Sequence, residues 1–196
     1  MEPFILKGVE AKYPRIDQPY HYSSKDNKFL PCEKDVEGAA YTLTALSTSE
    51  QVTELWPLMQ QAWKEGRQES WPEAIEPPFV KTDDGRYGVK TKRRASYGQP
   101  MQRFADNSEA PADFKLTAGS VLNVAFQFVP YRTANGHGVS LRLVGVQVLK
   151  YIEYKPPSPF DAQDGYTGST IAAPSNDPFD ELSLGATVEP SSDFSF

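Results

Sequence analysis

The chain has 196 residues, enough for one domain with a real core; 39% are hydrophobic, and 17 prolines and 13 glycines favour short strands and loops over long helices. Its single cysteine, Cys32, excludes an internal disulfide and a cysteine-rich zinc site, and no apolar run reaches the ~18 residues that span a bilayer. The net charge of −6 is unevenly placed: seven acids follow Lys155, the last basic residue, so residues 1–155 hold 19 acids against 20 bases and the remainder carries −7.

The N-terminal MEPFILKGVE has no basic region before its short apolar patch, so no signal peptide is expected. Phe4 to Tyr13 reads as a first strand, with Gly8 marking a bulge or bend. Residues 14–38 read as polar and irregular. They and Tyr13 interleave aromatics (Tyr13, Tyr20, His21, Tyr22, Phe29) with cations (Lys12, Arg15, Lys25, Lys28), which fits either a base-stacking surface or a loop packed on the domain.

Ala39 to Leu46 predicts a strand with Tyr41 and Leu43 on one face. Two capping-box patterns follow, Ser47 to Glu50 and Thr48 to Gln51. Val52, Leu55, Trp56, Met59, Ala62 and Trp63 then recur at helical spacing. Pro57 predicts that the helix starts near Thr53 or kinks, and Gly66 is the expected C-cap. Both tryptophans lie on the apolar stripe, which favours core packing over stacking. Residues 67–80 read as a loop.

Asp83-Asp84-Gly85 is a hairpin signal, better explained by a turn than by metal binding. The strand after it places Arg86, Lys90, Lys92 and Arg94 on one face and Tyr87, Val89, Thr91 and Arg93 on the other. Five bases within nine residues, without an acid, form the densest positive field in the chain and point to a phosphate-tracking surface. Residues 99–117 read as a loop with a short strand near Met101 to Phe104. Then comes a hairpin. Leu122, Val124, Phe126 and Phe128 alternate with Asn123, Ala125 and Gln127, Asn135-Gly136 marks the reversal, and Val139, Leu141 and Leu143 alternate on the return.

Residues 156–196 hold no base and are rich in Pro, Ser, Gly, Thr and Asp, a composition that does not offset chain entropy by burial. Two acidic-aromatic clusters stand out as partner-docking motifs: Asp177, Phe179, Asp180 and Glu181, then Asp193, Phe194 and Phe196. The two histidines, His21 and His137, form no ligand-spaced pair, and no phosphate-loop or dinucleotide glycine motif occurs. No catalytic residue, cofactor or metal is expected.

The small-residue turn at 118–120, the alternating strand, Val129-Pro130-Tyr131-Arg132, a short polar loop, the strand GVSLRLVGVQVL and an acidic tail ending in Phe196 together resemble the single-stranded DNA-binding proteins of the T-odd short-tailed coliphages. The order of elements matches over nearly the whole chain, although this tail is more dilute in acid. The resemblance implies a mainly β fold: an OB-fold-like five-stranded barrel with one packed helix over residues 1–155, then a disordered acidic tail over 156–196. It implies sequence-independent coating of unwound DNA in phage replication, recombination and repair, in the cytoplasm of the infected bacterial host. The tail would dock the phage polymerase or helicase. The residues expected on phosphates are Arg86, Lys90, Lys92, Arg94, Arg132 and Arg142, and those expected to stack are Tyr131, Tyr97, Tyr87 and Tyr20. A homodimer is compatible with this reading, and no membrane is involved. The rival readings are a structural or adaptor protein working through its tail, and an RNA-binding OB protein.

Overall fold

The computed structural model describes residues 2–111 and 113–154. In chain order the elements are β1 (Phe4–Ser23), β2 (Lys28–Pro31), β3 (Ala40–Ser47), α1 (Ser49–Gly66), β4 (Val80–Lys81), β5 (Tyr87–Arg94), a 3-10 turn at Ala95–Tyr97, β6 (Met101–Phe104), β7 (Val121–Thr133) and β8 (Gly136–Lys150). The expected tail from residue 156 onward lies outside the described residues.

Five strands close a ring. β1 pairs antiparallel with β3 and β7, β3 with β5, and β7 with β8. The ring closes by a parallel pairing of β5 with β8, at Thr91 with Leu141 and Lys92 with Arg142. This is the OB-type barrel that the sequence predicted. The inward side chains form its core: Leu6 and Val9 from β1, Tyr41 and Leu43 from β3, Val89 from β5, Leu122, Val124 and Phe126 from β7, Leu141 and Leu143 from β8. Phe126 is wholly buried and packs edge-on to Phe128, so truncating it to Ala should cost about 3–5 kcal/mol.

The β7–β8 hairpin runs as expected, with Thr133 paired to Gly136 across a two-residue tip. Its register slips near the start of β7, between Val121 and Leu122 with Leu149 as the extra residue, and again between Ala125 and Phe126, where Val144 on β8 is the extra residue. The slip at Val144 changes the phase of β8, so that Val146 and Val148 join Leu143 inside.

Residues 14–38 differ from expectation. β1 does not stop at Tyr13 but continues to Ser23, turns through Asn27 at φ +50° and returns as β2. Besides the slip at Gly8, β1 shifts register against β3 between Lys12 and Arg15 and between Arg15 and Tyr20. Pro14 and Pro19 fall in those two gaps, where a strand does not need their missing N–H. Polarity and prolines therefore suggested a loop where bulges carry the strand on.

α1 also begins earlier than Pro57 suggested. Thr48 caps it: its hydroxyl accepts from Gln51 N at 3.3 Å, and Gln51 Oε1 accepts from Thr48 N at 2.9 Å. The capping box outweighs Pro57, which sits exposed inside the helix. Val52, Leu55, Met59, Ala62 and Trp63 are buried, and the helix packs on β7 and β8. The C-cap is Arg67 in extended conformation, not Gly66. Gly66 is required for another reason: a Cβ there would lie 2.6 Å from Pro130 Cγ, so the helix end and β7 approach too closely for any side chain.

Candidate nucleic-acid interface

The outer face of β5 presents Lys90, Lys92 and Arg94 to solvent, while Val89 and Thr91 point inward. Register extends this line into rows across the barrel. Lys12 on β1 pairs with Thr44 on β3, which pairs with Lys90 on β5. In the next row Arg15 pairs with Thr42, Thr42 with Lys92, and Lys92 with Arg142 on β8. Each row sets a small threonine between longer cations, and the result is a groove of about 490 Å³ floored by Thr42 and Thr44. Thr42 Oγ1, buried in that floor, has no hydrogen-bond partner among the described residues.

Among the described residues neither Lys12, Arg15, Lys90, Lys92, Arg94 nor Arg142 has a carboxylate partner; the ion pairs present belong to Arg86. Cations set side by side without counter-charges repel one another and favour an anionic occupant.

Aromatic side chains stand along the same groove. At one end are Tyr13 and Phe29. The Arg15 guanidinium lies 4.5 Å from the Phe29 ring centroid, 5.9 Å from that of Tyr13 and 6.0 Å from that of Tyr20. Lys12 Nζ is 5.4 Å from the Tyr13 centroid. Tyr13 is 59% exposed and holds φ +50° directly before Pro14. A bulky residue rarely adopts that conformation, which costs on the order of 1–3 kcal/mol and persists only where the surrounding structure imposes it. Here the imposing element is the bulge between Lys12 and Arg15.

Past Lys90 and Lys92 the groove continues into a second hollow of about 230 Å³, lined by Phe79, Tyr131 and Ser140 as well as by the two lysines. Tyr131 is 40% exposed and lies across Gly138, its partner on β8. A Cβ on Gly138 would sit in ordinary contact with the Tyr131 ring at 3.6 Å, so the ring lies directly over this glycine. Pro130 fixes the backbone before it and is itself held by the end of α1.

Beside the second row, Arg142 covers Tyr97 at 5.1 Å from its centroid. Tyr97 is half exposed, and its backbone is clamped by Arg93, whose Nε donates to Gly98 O at 2.8 Å and whose Nη2 donates to Tyr97 O at 2.5 Å. Arg93 is therefore a structural cation that sequence alone does not distinguish from its neighbours.

The remaining residues singled out from sequence sit differently. Arg86 donates to Glu10 Oε2 at 2.7 Å and pairs with Asp84 Oδ2 at 2.6 Å, closing the β4–β5 turn. Its hydrogen bond to Glu10, then that to Asp84, holds the guanidinium charged, and bonds from Thr82 and Arg86 hold the Asp84 carboxyl well below the usual carboxylate range. Tyr87 is half-buried against the core. Arg132 is exposed at the hairpin tip and donates to Ser70 O at 2.6 Å, tying the loop after α1 to β7. There His137 stacks on Trp63 at 5.7 Å. Lys12, Arg15, Tyr13 and Phe29 join the groove because of the bulged β1–β2 hairpin; the interleaving of aromatics and cations was the signal, and the bulge register was not visible.

No protein-family model matches the sequence, and no curated protein matches it. The single-stranded DNA-binding protein from bacteriophage Enc34, solved in complex with ssDNA, superposes with a TM-score of 0.57 at 13% identity, over 76% of this chain and 86% of that one. The T7 single-stranded DNA-binding protein gp2.5 superposes with a TM-score of 0.57 at 18% identity, over 84% of this chain and 98% of that one. The chain thus has the fold of phage single-stranded DNA-binding proteins.

Proposed function

We propose that the chain is a sequence-independent single-stranded DNA-binding protein that works without catalysis. The observation that carries this reading is the cross-sheet row Arg15, Thr42, Lys92 and Arg142, a line of unneutralised cations across a groove with aromatic rings at its ends. Cations at that spacing neutralise phosphates, and rings stack on bases irrespective of sequence. The fold shared with the Enc34 and T7 proteins supports the same partner.

Placed in a phage, such a protein would coat DNA unwound during replication, recombination and repair in the host cytoplasm. The acidic segment after Lys155, with Phe179, Phe194 and Phe196 among its acids, would dock replication proteins such as a polymerase or helicase. The direct test is competition: labelled oligo-dT bound by the full chain should be displaced by unlabelled oligo-dT far better than by duplex of equal length. Preferential displacement by oligo-rU would assign the groove to RNA instead.

A further inference from the structure

Tyr13, Arg15 and Phe29 meet in the groove, and Tyr131 lines the neighbouring hollow. The flat guanidinium of Arg15 is 4.5 Å from the Phe29 centroid and 5.9 Å from that of Tyr13. A planar group thus already fits against Phe29 beside Tyr13. Phe29 is braced from behind by Tyr22, edge-on at 5.4 Å, and Tyr22 is fixed by its hydrogen bond to Asn27 in the β1–β2 turn. Tyr13 is held out from the barrel by its left-handed backbone and the bulge before Pro14. Both rings remain largely exposed, and both line the groove that holds Lys90 and Lys92.

We propose that Tyr13 and Phe29 form a subsite for one unpaired base, filled in the free protein by the Arg15 guanidinium. The base takes the place against the rings, and the released Arg15 moves to an adjacent phosphate. No bond is made or broken; one planar π partner replaces another, and a half-buried cation gains an anion. This inference rests on the single-stranded DNA reading and assigns part of that site.

The test compares oligo-dT with an abasic strand of the same length and charge. Tyr13→Asn removes the ring while keeping a residue that tolerates positive φ. It should weaken oligo-dT binding roughly five- to hundred-fold and leave abasic binding unchanged. Phe29→Ala should do the same, and Tyr13→Phe should bind like the unmodified chain. Arg15→Ala should flatten the dependence of log K on log salt by about 0.7, which Tyr13→Asn should not. Lys90→Ala is the control, lowering oligo-dT and abasic binding alike. If the unmodified chain ignores oligo-dT, the DNA reading falls and the subsite with it. If it binds oligo-dT but Tyr13→Asn and Phe29→Ala keep the unmodified ratio of oligo-dT to abasic affinity, the subsite is wrong and the DNA reading stands. Should Tyr13→Asn melt lower, Phe29→Ala on the exposed hairpin decides.

Discussion

Lys92 and Arg142 are register partners across the parallel pairing that closes the barrel. Fifty residues apart in sequence, they become neighbours in one row, so the contact that completes the fold also assembles the positive face. The groove is thus a consequence of barrel closure.

Tyr131 separates stacking from packing. It is exposed beside Lys90 and Lys92, and its ring lies over Gly138. Tyr131→Ala should weaken oligo-dT binding by about 1–3 kcal/mol, while Tyr131→Phe, which keeps the ring, should lose little. Both should melt close to the unmodified chain. A large drop in melting temperature for Tyr131→Ala would make the residue structural.

The approach of Gly66 to Pro130 predicts a stability effect opposite to helix propensity. Alanine favours a helix over glycine by up to about 1 kcal/mol. Against that, the added Cβ meets a rigid proline ring at 2.6 Å, and overpacking of this kind costs about 1–3 kcal/mol. Gly66→Ala should therefore lower stability in denaturant titration, and Gly66→Ala/Pro130→Ala should recover part of the loss. A Gly66→Ala chain more stable than the unmodified one would refute the contact.

Which of these features the sequence carried follows from their range. β3, β5 and the β7–β8 hairpin were legible because period-two alternation and turn residues are local. Lys90, Lys92 and Arg94 were legible with β5. Lys12 and Arg15 were not placed, because two register shifts decide which way they face and prolines disguised the strand. Arg86 seemed equivalent to Lys90 until the fold brought Glu10 beside it, 76 residues away in sequence. Gly66 was read as a cap because its actual constraint, Pro130, is also remote in sequence.

The Asp84–Arg86 clamp predicts a pH dependence. The folded-state pKa of Asp84 is depressed, so its contribution is full above the ordinary carboxylate value of 3.8 and fades as pH falls through the folded value. Asp84→Asn should melt below the unmodified chain at neutral pH, and the gap should narrow only under strong acid. A gap that is the same at pH 7 and pH 2 would contradict the clamp.

The tail enters through charge. Removing residues 176–196 deletes five of the seven acids after Lys155. A tethered acidic chain competes with phosphates at high effective concentration, so truncation should tighten oligo-dT binding at low salt by a few-fold to about tenfold, or ~1.4 kcal/mol. The gain should shrink as salt rises. Equal affinity at low salt with and without the segment would leave it no part in competition.

The central claim, that the cation rows bind a single-stranded phosphate backbone, is tested most directly by titrating labelled oligo-dT at several salt concentrations with the unmodified chain and with Lys90→Ala/Lys92→Ala. With roughly four to six phosphates neutralised, log K should fall against log salt with a slope of about −3 to −4, and the double variant should be flatter by about one unit. A salt-independent affinity, or a slope that the double variant leaves unchanged, would contradict it.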